Sequence, residues 1–491
     1  MEKQIRRVGV GITIGFLLIF AMLNWVQFFE AKQIAGNAAN RRAIIAEYSI
    51  KRGDITTVDG VTLARSEETN GDLKYERVYP EGDLYGHLTG FYSILYGKTG
   101  IEAAYDDELL GESGVVSIQD IEDRLFGSGE QGDDVRLTIH SDLQELARDT
   151  LGDQEGAVVA LDPNTGEVRA MWSNPSYDPN PLASFDIGEA REYRRTLKPN
   201  SPTSPLIRKA TSRGFPPGST FKVVTAAAAL ESGRYTPNST FPDPSELDLP
   251  LTDETLTNFT KTSCLGGGEI DLFTALVISC DTTFARLGLK IPDDVRGAAE
   301  GFGFNDTIPF DVTTEASTFP NVPDDEEPQR AFAAIGQGSV VATPLQMAMV
   351  AAGVANGGEV PRPRLVREVT DPSADIVERY SPETLAEAVS PDTAEEVTKM
   401  MIQVVQDPSG TGTAARMPDI EVAGKTGTAQ TVEGADPHAW FIAFAPADDP
   451  QLAIAVLVEN GGELGSEATG GQVAAPIAKA ILERDREIRG W

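Results

Sequence analysis

The sequence predicts an α+β fold, and three observations predict it. Strand-like apolar runs stand at both ends of the region beyond residue 135, at Gly156–Leu161 and again at His438–Ala445 and Gln451–Glu459. Apolar helical stretches such as Val223–Leu230 fill the middle. A turn rather than a crossover helix joins neighbouring strands: Asp162-Pro163-Asn164-Thr165-Gly166 separates Gly156–Leu161 from a returning Glu167–Trp172. A sheet assembled from both ends of one domain, flanked by helices from its middle, is the arrangement these runs require. The 491 residues leave room for two or three domains, and no internal repeat of 20–50 residues is present. The net charge of −34, with no dense Lys/Arg patch, argues against nucleic acid as a partner. Three histidines and two cysteines argue against a four-ligand Cys/His zinc site, and nothing in the chain suggests another metal or a cofactor.

Taken in order, residues 1–7 form a short basic stub with Lys3, Arg6 and Arg7. Val8–Phe29 is 22 residues without a charge, long enough for one transmembrane helix. The positive flank places the stub in the cytoplasm and the rest of the chain outside the cell membrane. No small-x-small cleavage site follows, so the expectation is an uncleaved single-pass signal anchor. Residues 30–134 read as a mixed α/β membrane-proximal domain. Ile55–Ala64 alternates around Asp59-Gly60, a hairpin signal, while the acidic, glycine-containing stretch before 134 reads as loop or linker. Residues 135–491 form the larger domain. Val135–Ile139 reads as a strand, Ser141–Leu151 as a helix capped by Ser141, and Gln472 to about Arg486 as a closing helix.

The chemistry starts at Pro216-Pro217-Gly218, a turn followed by Ser219-Thr220-Phe221-Lys222 and an apolar helical run to Leu230. Ser219 suits a helix N-cap, and Lys222 falls on the same helix face one turn later. Burial favours a neutral lysine, which can take the serine proton, and a helix N-terminus directs N–H groups at developing negative charge. The bland alternative is a capping serine beside a snorkelling lysine. S-x-x-K arises by chance about once in a chain of this length, and it occurs once here. Two later elements favour chemistry. Lys425-Thr426-Gly427-Thr428 reads as an exposed-edge strand, with Gly427 allowing close backbone approach and the threonines and Lys425 offering contacts to a substrate carboxylate. Ser279-Cys280-Asp281 lies between two helical stretches. The second Lys-Thr-Gly, Lys98-Thr99-Gly100, reads as a turn. Outside a membrane thiols oxidise, so a Cys264–Cys280 disulfide is expected over two buried thiols, contributing about 3 kcal/mol.

S-x-x-K, S-D-N and K-T-G are the signature of penicillin-binding proteins and serine β-lactamases, and Ser219, Ser279 and Lys425 stand in that order here. The chain resembles a class B penicillin-binding protein over nearly its whole length. Arg52-Gly53-Asp54-Ile55, Gly90-Phe91-Tyr92-Ser93 and Thr99-Gly100-Ile101-Glu102 are similar to the family's membrane-proximal landmarks. Asn174–Asn180, Ile335-Gly336-Gln337-Gly338, Thr343-Pro344-Leu345-Gln346 and His438-Ala439-Trp440-Phe441 are similar to its transpeptidase domain. The resemblance implies a penicillin-binding transpeptidase fold, serine β-lactamase-like, on a pedestal. It implies D,D-transpeptidation with Ser219 as nucleophile, Lys222 as base and Ser279 as proton relay. The Ser219 and Thr428 N–H groups would form the oxyanion hole, and Lys425, Thr426 and Thr428 would hold the carboxylate. The implied partners are peptidoglycan stem peptides of the lipid-linked polymer, β-lactams as covalent inhibitors, a separate membrane glycosyltransferase and divisome proteins, with a septal role. A carboxypeptidase or β-lactamase of the same fold and a divisome scaffold without chemistry are the alternatives. One position departs: Asp281 stands where the family usually has Asn. An ionised carboxylate only accepts hydrogen bonds, and a pair with Lys222 would raise that lysine's pKa, so a shifted pH optimum is expected.

Overall fold

The computed structural model describes residues 2–25, 41–71, 73–111, 131–430 and 435–491. Helix α1, Glu2–Trp25, leads the chain, and its Phe16, Leu18 and Phe20 side chains are two-thirds exposed. Among the described residues no helix is long and apolar enough to cross a membrane. The last four residues of the expected span, and most of the expected acidic linker, lie outside the described residues.

The membrane-proximal part contributes β1 (Ile55–Thr56), β2 (Thr62–Glu68) and β3 (Tyr75–Val78), with the expected hairpin at Asp59-Gly60 closed by Thr57 and Val61. Its interior is polar as well as apolar. Glu102 is fully buried and accepts from Arg52 Nε at 2.6 Å, Arg77 Nε at 2.6 Å and Tyr79 Oη at 3.2 Å. Lys98 belongs to a two-residue strand and Thr99 caps a helix over Gly100–Ala104, so this Lys-Thr-Gly is a strand-to-helix joint rather than a turn.

From β4 (Asp134–Leu137) the chain enters the larger part: α2 (Ser141–Leu151), β5 (Gly156–Leu161), β6 (Val168–Asn174), α3 (Lys222–Glu231), α4 (Leu272–Val277), α5 (Asp281–Lys290), α6 (Pro344–Ala355), β7 (Val366–Thr370), β8 (Ile376–Arg379), α7 (Pro391–Gln406), β9 (Ala423–Ala429), β10 (His438–Ala445), β11 (Leu452–Val458) and α8 (Ala475–Arg489). The main sheet is antiparallel with strand order β9-β10-β11-β5-β6, drawn from both ends of the domain as expected. Every residue of β5, β10 and β11 is buried, because α6 packs on one face and α8 on the other. Burial on both faces is why these strands are continuous apolar runs.

The second sheet does not respect the expected boundary at 134/135. Its order is β8-β7-β4-β1-β2-β3, with β4 parallel to β1 and antiparallel to β7. Residues 366–379 therefore bond into a sheet begun by residues 55–78. Two local expectations are corrected. His140, not Ser141, is the N-cap of α2, and Ser141 Oγ instead bonds Asp59. The closing helix runs Ala475–Arg489 after a π-turn at Gly470–Ala474.

Candidate active site

Ser219 does not cap an α-helix. It lies in a 3₁₀ turn, Gly218–Phe221, and α3 begins only at Lys222. Gly218 adopts φ +53°, and its N–H bonds Gly336 O at 2.9 Å. Thr220 Oγ1 closes the turn onto Pro217 O, while Phe221 stacks on Phe319 and meets Phe304 edge-on. Trp440 Nε1, from β10, bonds Pro216 O at 2.9 Å. The serine thus stands half-exposed on a turn fixed from below by aromatics and from the side by the sheet.

Lys222 is fully buried on a helix whose next seven residues, Val223–Ala229, are also buried. Its Nζ donates to Asp281 Oδ1 at 2.7 Å, Ser279 O at 2.8 Å and Ser279 Oγ at 3.3 Å. Among the described residues no hydrogen bond joins it to Ser219. Lys425, on β9, is equally buried and donates to Ser279 Oγ at 2.9 Å and Thr426 O at 2.9 Å. Ser279 therefore sits between two lysines, in a tight turn with a left-handed φ of +62°. Backbone strain of this kind persists where surrounding contacts impose it.

Both lysines are held below their usual range. For Lys222, burial lowers the pKa and dominates, while the Asp281 carboxylate opposes it. For Lys425, burial comes first and the neighbouring Lys222 ammonium second, so the pKa falls well below the ordinary value. Asp281 opens α5 and spends both oxygens as acceptors, Oδ1 from Lys222 and Oδ2 from the Phe259 N–H at 3.0 Å. In this arrangement Asp281 holds the lysine and a loop rather than offering a donor to a ligand.

That loop is fixed a second time. Cys264 and Cys280 form a disulfide, with Cα atoms 5.7 Å apart, and Cys280 lies between Ser279 and Asp281. Asp243 accepts from the Cys264 and Leu265 N–H groups, and Asn258 Oδ1 accepts from Thr282 N. Asp243 beside two bridged sulfurs is not a metal ligand set, since bridged sulfurs carry no thiolate.

β9 is the edge strand of the main sheet, so its free side faces the Ser219 turn. Gly427 serves the protein's own backbone. A Cβ there would lie 2.9 Å from Pro217 O and from Thr220 Cγ2 and 3.0 Å from Trp440 Cβ. Thr428 is half-buried beside this contact, and Thr426 Oγ1 shares a 2.6 Å hydrogen bond with Thr411 Oγ1. Thr411 and the Phe259 backbone are site contacts that sequence reasoning missed; the Gly410-Thr411-Gly412 loop is the only local trace of the first. His438 lies in β10, its ring edge-on to Phe215 and its Nδ1 accepting from Asn460 N, with no catalytic partner.

A serine on a rigid turn, with two depressed lysines meeting at a second hydroxyl, is a constellation for acyl transfer. Residues 156–483 match the penicillin-binding protein transpeptidase domain, and residues 52–135 match the penicillin-binding protein A dimerisation domain. The chain belongs to the penicillin-binding protein transpeptidase family. It is 39% identical to the peptidoglycan D,D-transpeptidase PbpA of Mycolicibacterium smegmatis over 98% of both chains. It is 37% identical to PbpA of Mycobacterium tuberculosis over 98% of this chain and 99% of that one. Penicillin-binding protein A of M. tuberculosis as a penicillin G acyl-enzyme complex superposes with a TM-score of 0.82 at 37% identity, covering 89% of this chain and all of that one. Its ceftriaxone acyl-enzyme complex gives 0.84, covering 89% and 99%.

Proposed function

We propose that this chain is a peptidoglycan D,D-transpeptidase working through an ester on Ser219. The observation that carries the reading is the convergence of Lys222 Nζ and Lys425 Nζ on Ser279 Oγ, at 3.3 and 2.9 Å, beside the turn that presents Ser219. Ser219 Oγ attacks the penultimate D-Ala carbonyl carbon while neutral Lys222 takes its proton. The N–H groups of Ser219 and Thr428 receive the developing oxyanion. As the peptide C–N bond breaks, the proton passes through Ser279 Oγ to the departing D-Ala amine. An amine of a second stem peptide then attacks the ester, loses its proton by the same route and regenerates Ser219. Thr426 and Thr428 hydroxyls meet the terminal carboxylate. Lys425, being wholly buried, contributes charge through Ser279 rather than by contact. β-Lactams present the same carbonyl and acylate Ser219.

Residues 8–29 anchor the chain to the cell membrane with the catalytic part outside. What supports this is the uncharged run, the basic flank Lys3-Arg6-Arg7 and the exposed apolar side chains of α1; at 1.5 Å per residue the run spans about 33 Å. Residues 30–134 act as pedestal and 135–491 as the catalytic domain. A separate membrane glycosyltransferase and divisome proteins are its partners in septal wall synthesis. A depsipeptide or thioester analogue of a stem peptide, offered with a D-amino acid acceptor, tests the central reading: the exchanged product is expected. Hydrolysis alone would point to a carboxypeptidase, and no turnover to a scaffold.

A further inference from the structure

The loop that follows α7 is shaped to deliver one hydroxyl. Gly410 and Gly412 flank Thr411, and neither position has room for a side chain. A Cβ on Gly410 would stand 2.3 Å from Val404 O, and one on Gly412 would stand 3.2 Å from Phe441 Cε2. The Gly412 N–H bonds Val404 O at 2.9 Å, which ties the loop to the last turn of α7. The π-turn Gly470–Ala474 presses from the other side, since a Cβ on Gly471 would stand 2.3 Å from Thr411 O. The Thr411 backbone is thus held between a helix end and a turn, while the residue itself is exposed. Its Oγ1 lies 2.6 Å from Thr426 Oγ1. Thr426 is 6% exposed, and among the described residues this is the only hydrogen bond its hydroxyl makes.

A hydroxyl carries one proton, so the direction of this bond decides what Thr426 keeps for a ligand. If Thr426 donates to Thr411, it offers a ligand only lone pairs, which repel a carboxylate. If Thr411 donates, the Thr426 proton is free, and a carboxylate, which can only accept, is met by a donor. Hydroxyls bonded in series also polarise one another, which strengthens the outer donor. We propose that Thr411 is a positioning residue for the carboxylate end of the substrate: it donates to Thr426 Oγ1 and so turns the Thr426 proton toward that carboxylate. The inference rests on the proposed transpeptidase reading, in which Thr426 meets the terminal carboxylate.

The test compares kcat/KM for a thioester analogue of a stem peptide that ends in a carboxylate with kcat/KM for its methyl ester. Wild type, Thr411→Val, Thr411→Ser, Thr426→Val and the double valine variant are measured side by side. Thr411→Val removes the hydroxyl with little change of shape. The preference for the acid over the ester should fall about tenfold, mostly through KM, the size of one charge-assisted hydrogen bond. Thr411→Ser keeps the hydroxyl and should restore the preference. In the Thr426→Val background Thr411→Val should cost nothing further, because Thr411 acts through Thr426. An equal loss for acid and ester would mark a merely structural role and overturn the proposal. An unchanged preference or a failure of serine to rescue it would do the same. Losses that multiply in the double variant would also overturn it, since they mean that Thr411 touches the carboxylate directly. Should Thr411→Val not fold, Thr411→Ala removes the same hydroxyl from this exposed position. Wild type that turns over neither analogue contradicts the acyl-transfer reading and this inference with it, whereas every other failure leaves that reading standing.

Discussion

Asp281→Asn isolates what the one departure from the family pattern does. Asp281 Oδ1 lies 2.7 Å from Lys222 Nζ, and both groups are shielded from solvent, with 14% and 0% of the side chains exposed. At an effective dielectric of 20 this pair interacts by about 6 kcal/mol, much of it cancelled by the cost of desolvating two charges. Opposite charges at such distances shift pKa values by about 1–3 units. An asparagine still accepts the lysine hydrogen bond but removes the charge. The sign follows directly: Asp281 raises the pKa values of Lys222 and Lys425, so its neutralisation lets both fall further. With Lys222 as the proposed base, acylation requires its neutral form and rises with pH through that lysine's pKa. The acidic limb of the rate profile should therefore move to lower pH by about 1–2 units. Second-order acylation rates with a fluorescent penicillin, measured from pH 5 to 10, read this limb. A limb that stays in place, or moves to higher pH, would refute the reasoning.

Three further substitutions have outcomes set by the structure. Gly427→Ala forces a methyl group against Pro217 O and Thr220 Cγ2, so it should cost about 1–3 kcal/mol in urea unfolding and about a hundredfold in acylation as the Ser219 turn shifts. Cys264→Ser opens a bridge between residues sixteen apart, and a loss of about 3 kcal/mol is expected by denaturant titration without reductant. Glu102→Gln leaves Arg77 buried without its carboxylate and Arg52 with Asp106 alone, which should cost about 3–5 kcal/mol at neutral pH. Burial works against the charged Glu102, but Arg77 and Arg52 prevail and its folded pKa is depressed. Its contribution is therefore full above the unfolded carboxylate range and lost as pH falls through the folded value. The melting temperatures of wild type and variant should converge on acidification.

What was legible in the sequence follows from where each signal resides. β5, β10 and β11 announce themselves because both faces are covered, leaving no polar position in the run. β7 and β8 do not: all four residues of β8 are exposed, and the partner of β7 on its other side, β4, lies some 230 positions earlier in the chain and joins it to β1. The joining of residues 366–379 to this sheet was not legible because pairing between distant strands leaves no local periodicity. At the site, Ser219, Lys222, Ser279 and Lys425 are recognisable through motif order, yet their geometry is not. S-x-x-K suggests a serine–lysine contact across one helical turn. The observed 3₁₀ turn instead leaves Lys222 bonded to residues 57 and 59 positions later. Gly427 was expected to admit a substrate backbone; it admits the protein's own Pro217–Thr220 turn. Thr411 carries no motif of its own and reaches Thr426 only through the loop between α7 and β9.

The central claim is that Ser219 is the acyl-accepting nucleophile. Incubation with a labelled penicillin, followed by peptide mapping over time, tests it most directly. A single long-lived adduct on Ser219, absent in Ser219→Ala, is the predicted result. No adduct, an adduct on another residue, or release as fast as it forms would contradict the account.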